Sequence, residues 1–124
     1  METFIVDSFT DQAFKGNPAG VCLTNSTLSD DLMQSITLEL NLSETAFIQT
    51  HEEHGQYSIR YFSPKMEIPL CGHATLASAK VLFEKTTLSE IHFKNIQGLD
   101  LWVRLVDGDI LMQFPVYKTI ASNA

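Results

Sequence analysis

At 124 residues the chain falls within the roughly 100–200 expected of one domain. Its 15 Asp and Glu against 8 Lys and Arg leave a net charge of −7 and a pI near 4.9, which argues against nucleic acid as a partner. With 44% apolar and 19% charged residues it can build a core, and its two distant cysteines, Cys22 and Cys71, argue against a disulfide scaffold or a zinc module.

No apolar run approaches the roughly 18–20 residues of a membrane span. The acidic start, Met1 to Phe9, lacks the basic region of a signal peptide. The expectation is a cytoplasmic protein with two free thiols and no membrane partner.

Residues Thr3 to Phe9 alternate as a strand. Phe14-Lys15-Gly16-Asn17-Pro18-Ala19-Gly20 carries turn chemistry, and Val21-Cys22-Leu23 is a short second strand. Ser29 then opens a helix, with Asp30 and Asp31 where the dipole favours negative charge. Leu32, Ile36 and Leu40 predict its apolar stripe, and Asn41 its stop. Thr45 to Thr50 and Tyr57 to Phe62 read as strands joined by the polar turn His51-Glu52-Glu53-His54-Gly55. Further strands fall at Glu90 to Lys94, Leu99 to Val106 and Asp109 to Phe114, and Asp107-Gly108 predicts a tight hairpin between the last two.

The stretch Gly72 to Glu84 differs. Small or apolar residues occupy nearly every side of its helical wheel, with Lys80 and Glu84 as an i,i+4 pair. A helix apolar almost all round is buried almost all round. The predicted fold class is therefore α+β: a curved, mostly antiparallel sheet wrapped around a central helix, with one outer helix. One domain over residues 1–115 is expected, with 116–124 as a tail.

The start of that central helix is where chemistry is most readily placed. Pro69-Leu70 leads into Cys71-Gly72-His73-Ala74, whose first N–H groups have no partner inside the helix and so suit a carboxylate or phosphate. An ordinary capped helix end is the commoner outcome of such a pattern. Glu44 sits between a helix stop and an apolar strand, where a carboxyl group can trade protons with a carbon acid, although most such glutamates are solvated. Cys71, at a helix N-terminus, is expected to have a lowered pKa. The remaining features read as structure: His51, Glu52, Glu53 and His54 as a solvated turn rather than a metal cluster, His92 as an exposed strand residue, Cys22 as a small core hydrophobe and Trp102 as packing.

Five segments stand in the order of one family: Val6-Asp7-Ser8-Phe9-Thr10, Gly16-Asn17-Pro18-Ala19, Asn41 to Phe47, Arg60-Tyr61-Phe62-Ser63-Pro64, and Glu67 to Ala77. Over about residues 3–115 the chain closely resembles the N-terminal half of PhzF-like phenazine-biosynthesis-type isomerases, relatives of diaminopimelate epimerase. The resemblance implies two similar halves, each a sheet wrapped around a helix, with a cofactor-free active site between them. It implies Glu44 as the general acid/base, and Gly72, His73 and the adjoining Cys71 as the residues that bind a small carboxylate substrate. In the characterised phenazine-pathway isomerase that substrate is a dihydro-hydroxyanthranilic acid, whose ring carbons exchange a proton.

Two departures matter. Diaminopimelate epimerases keep a thiol base at the position of Cys71 but follow it with Asn where this chain has His73, which favours the Glu44 reading over a thiol-dependent epimerase. Family members also have about twice this length, and their second half carries a Glu-Asp-Pro…Thr-Gly-Ser-Ala segment that nothing here resembles. A fragment, a short member working as a homodimer, and a non-catalytic carboxylate-binding module are the readings left open, and little activity is expected of this half alone.

Overall fold

The computed structural model describes residues 1–7, 18–51 and 55–113. Eight strands and two helices run in the order β1 (Glu2–Val6), β2 (Ala19–Thr24), α1 (Asp30–Leu40), β3 (Glu44–Thr50), β4 (Gln56–Phe62), β5 (Glu67–Ile68), α2 (Gly72–Lys85), β6 (Glu90–Lys94), β7 (Asp100–Val106) and β8 (Asp109–Gln113). All strands join one sheet in the order β1-β2-β3-β4-β6-β7-β8, with β5 beside β4. β2/β3 and β4/β6 are parallel, and the other pairings are antiparallel. The parallel pairs are those bridged by a helix, because a strand cannot return in the same direction without a crossover.

The sheet curls around α2. Both edge strands, β1 and β8, touch this helix, as do β2 and β3, the two strands that follow β1 in the sheet. Ala74, Ala77 and Ala79 are fully buried on α2 and meet Val21, Ile48, Ile59, Tyr61, Ile91, Phe93, Leu101 and Val103 from the strands. Small side chains on the helix let it lie close to the sheet. Lys80 and Glu84 do not form an ion pair among the described residues. Instead Lys85 reaches Glu2 across the fold at 3.2 Å.

The outer helix is rotated relative to the predicted stripe. Leu32 is 46% exposed, whereas Met33 and Thr37 are buried and Ile36 and Leu40 flank them against Cys22, Phe47 and Phe62. Thr37 can take a buried position because its hydroxyl donates to the Met33 carbonyl at 2.8 Å, leaving only its methyl to pack. The helix ends are as expected. Ser29 accepts from the Leu32 amide at 3.1 Å, and Asn41 adopts φ 54° and closes the last turn. Ser29→Ala should cost about 1 kcal/mol in a urea unfolding experiment; an unchanged midpoint would show that water replaces the cap.

Strand bounds shift modestly. The first strand ends at Val6 rather than Phe9, residues 8 and 9 lying outside the described residues. The two-residue β5 had no periodicity to reveal it and exists only because Tyr61 and Phe62 offer an edge to pair with. At Asp107-Gly108 both residues have positive φ, 51° and 86°, as a tight right-twisted hairpin requires. Of the predicted turn, Glu52, Glu53 and His54 lie outside the described residues, while His51 hydrogen-bonds Ser58. His92 departs from its expected exposure. Its side chain is only 16% exposed because it stacks on Trp102, centroids 4.1 Å apart, and bonds Asp100 at 2.7 Å. No helix among the described residues is long and apolar enough to cross a membrane.

Candidate active site at the start of the central helix

Strand register gathers the chemistry at one end of the sheet. Val6 pairs with Ala19, Ala19 with Glu44, Thr45 with Phe62 and Phe62 with Glu67. The C-terminal ends of β1 and β4 therefore lie beside the N-terminal ends of β2 and β3. α2 starts only four residues beyond β5. Side chains alternate along β3, so Phe47 faces the outer helix with Cys22, while Ala46 and Ile48 face α2. Glu44 belongs to the second set and is half-buried at the strand mouth.

Glu44 and Cys71 are brought together. The Glu44 carboxylate lies close enough to the Cys71 thiol to act on it electrostatically. Gly72 and His73 are the first two residues of α2, both half-buried, and the His73 Nε2 is enclosed. All four residues expected at the site thus converge on one helix start.

The two helix N-termini contrast. α1 has a side-chain cap and two acidic residues in its first turn. α2 has no acidic residue from Gly72 to Thr75, and its N-cap is Cys71, whose thiol makes no capping hydrogen bond although it lies against the His73 and Ala74 amides. The Thr75 amide is the first to find a helical acceptor, the Cys71 carbonyl at 3.0 Å. The amides of Gly72, His73 and Ala74 come before that bond, at the positive end of the helix dipole. Such an end holds a carboxylate through directed N–H groups.

The Cys71 expectation is corrected. Burial pushes its thiol pKa up, and the neighbouring Glu44 carboxylate pushes the same way. The Ala74 and His73 amides, which favour the thiolate, do not overcome the pair. Burial and the Glu44 carboxylate together favour the neutral thiol, so alkylation of Cys71 by iodoacetamide should rise only above the ordinary thiol range. A midpoint below pH 8 would restore the reactive reading. Cys22, buried and with its pKa also raised by burial, faces the opposite side of the sheet, so the two thiols cannot work as a pair.

Residues that sequence reading did not single out hold the approach to α2. Arg60 grips Glu67 with two bonds of 2.7 Å and reaches Asp30 at 3.0 Å, tying β5 to α1. Asn95, 5% exposed, donates to the Pro69 carbonyl at 2.9 Å while its own oxygen accepts from Gln97 and Leu99. Both fix the segment leading into Cys71. Arg60-Tyr61-Phe62 was visible as a motif, but nothing in the sequence announced Asn95.

A mixed sheet curled around a buried helix, with a carboxylate at the strand mouth beside the helix start, defines an α+β half-barrel. The family model described as "Phenazine biosynthesis-like protein" matches residues 6–123. The chain belongs to this PhzF family. It is 47% identical to phenazine biosynthesis-like domain-containing protein 2 of Mus musculus across 97% of its own length and 44% of the mouse protein. It is 51% identical to an uncharacterised isomerase of Halalkalibacterium halodurans, over 69% of this chain and 32% of that one. Among solved structures, the PhzF-family protein of Enterococcus faecalis superposes with a TM-score of 0.77 at 44% identity, covering 85% of this chain and 40% of that chain. The chain thus spans less than half the length of the relatives it matches.

Proposed function

We propose that this chain supplies the acid/base half of a cofactor-independent isomerase that moves a proton between carbons of a small carboxylic acid. The observation carrying this reading is the placement of Glu44 beside the uncapped start of α2. The substrate carboxylate sits on the amides of Gly72, His73 and Ala74. Glu44 then removes a proton from one carbon, and the resulting carboxylic acid returns it to another, leaving the enzyme unchanged. Helix N–H groups also stabilise the charge that spreads towards the carboxylate as the C–H bond breaks. The names of two bacterial relatives, both called isomerases, support the reaction type.

The chain's share of its relatives' length supports a second half-domain or a second copy as the cover of this carboxylate cradle. Sedimentation at micromolar concentration separates them: a monomer excludes the copy. Solvent deuterium incorporation into a cyclic carboxylic acid tests the reaction in a two-half protein bearing this sequence. Carboxylate binding without any deuterium uptake would instead make this a non-catalytic binding module.

A further inference from the structure

Beneath the amide cradle lies a buried polar string that the reaction itself does not use. Tyr61 on β4 is fully buried, and its hydroxyl meets the Thr75 hydroxyl at 2.5 Å. Thr75, also fully buried, donates to the Cys71 carbonyl at 2.8 Å. Thr75 has one hydroxyl proton, and it is committed to Cys71. The direction of the string is therefore fixed: Tyr61 donates to Thr75, and Thr75 donates to Cys71. Burial also raises the pKa of the Tyr61 phenol, so it remains a donor throughout the physiological range.

The Cys71 carbonyl receives two donors, the Thr75 amide at 3.0 Å and the Thr75 hydroxyl. That carbonyl is the N-cap acceptor of α2, and its peptide plane is shared with the Gly72 amide. A group that holds this plane also aims the first N–H of the helix. We propose that the Tyr61 hydroxyl, acting through Thr75, is a positioning group that sets the direction of the Gly72–Ala74 amides and the place of the Cys71 thiol beside Glu44. The inference rests on the carboxylate-cradle reading above and deepens it, because it assigns a sheet residue to the aim of the cradle.

An apolar residue would fill the space of Tyr61 equally well. Burying a hydroxyl there is worthwhile only if the bond is made, since an unpaired one costs about 1–3 kcal/mol. Tyr61→Phe removes the hydroxyl and keeps the ring. Thr75→Val removes the middle link at nearly constant shape, and Thr75→Ser retains it. The first two variants should lose stability whatever the role of the string, so melting temperature does not decide.

Two other readouts decide, both on the full 124-residue chain. One is the titration of benzoate followed by the amide resonances of Gly72, His73 and Ala74. The other is the pH dependence of Cys71 alkylation, resolved from Cys22 by peptide mass; among the described residues Glu44 and Tyr61 interact electrostatically with that thiol, and His73 lies two residues on. Tyr61→Phe and Thr75→Val should weaken benzoate about fivefold and lower the alkylation rate at pH 8 about threefold, because misaimed amides no longer favour the thiolate. Thr75→Ser should stay close to the unsubstituted chain in both. If Tyr61→Phe and Thr75→Val leave the alkylation profile and the benzoate affinity unchanged, the positioning role is overturned. If the unsubstituted chain itself binds no benzoate, the cradle reading fails separately, and the alkylation profile alone decides the role of Tyr61.

Discussion

Glu44→Gln in a two-half protein bearing this sequence is expected to lower solvent deuterium incorporation into a cyclic carboxylic acid by about 10²–10⁴-fold. The substitution keeps the size of the side chain and one oxygen acceptor, but an amide cannot take up and return a proton. Glu44 is half-buried at the first position of β3, and its backbone pairing with Ala19 does not depend on the carboxylate. Fold stability should therefore change little, within about 0.5 kcal/mol. Benzoate affinity should also hold, because the proposed cradle is built from the amides of Gly72 to Ala74 and not from Glu44. Exchange that survives Glu44→Gln would move the proton shuttle to another group. Cys71→Ser is the companion variant: a thiol-dependent epimerase loses its base with that change, whereas the Glu44 mechanism retains most of its rate.

Phe93→Ala should be the most damaging core truncation, costing about 3–5 kcal/mol in urea unfolding. Phe93 is fully buried on β6, within the cluster that packs against α2, and its ring lies 6.1 Å from that of Tyr57. The hole left behind cannot be filled by the alanines of α2, which are too short to follow. For a domain whose whole stability is of the order of 5–15 kcal/mol, such a loss leaves a large unfolded fraction. Trp102 on the neighbouring strand β7 is the control. It is 40% exposed on the opposite face, so Trp102→Ala should cost less than about 1 kcal/mol despite removing a larger ring. Equal losses at the two positions would mean that the sheet does not close over α2.

The elements with strong local signals were legible. Ser29 and Asn41 bracket α1 because capping is a matter of a few neighbouring residues, and Asp107-Gly108 makes its hairpin because both positions accept positive φ. The central helix was legible for another reason: a wheel with Ala, Ser, Val and Leu on nearly every side has nowhere to go but inside. The facing of α1 was not legible. Leu32 and Met33 are neighbours of similar apolarity, and only the sheet surface chooses between them. Helix periodicity alone leaves such a rotation open.

The site divides along the same line. The order of residues by itself determined which chemical groups are present: a strand-mouth glutamate, a glycine-histidine helix start without an acidic first turn, and a family pattern that joins them. Tertiary structure decided how these groups are aimed and which way the neighbouring Cys71 thiol is shifted. Cys71 illustrates the difference, since the helix N-terminus read from sequence lowers its pKa, whereas burial and the Glu44 carboxylate raise it more. Tyr61 and Thr75 meet across fourteen residues of chain. Neither burial nor a bond between separate elements exists until the sheet has curled around α2, because both depend on what surrounds a side chain rather than on what precedes it.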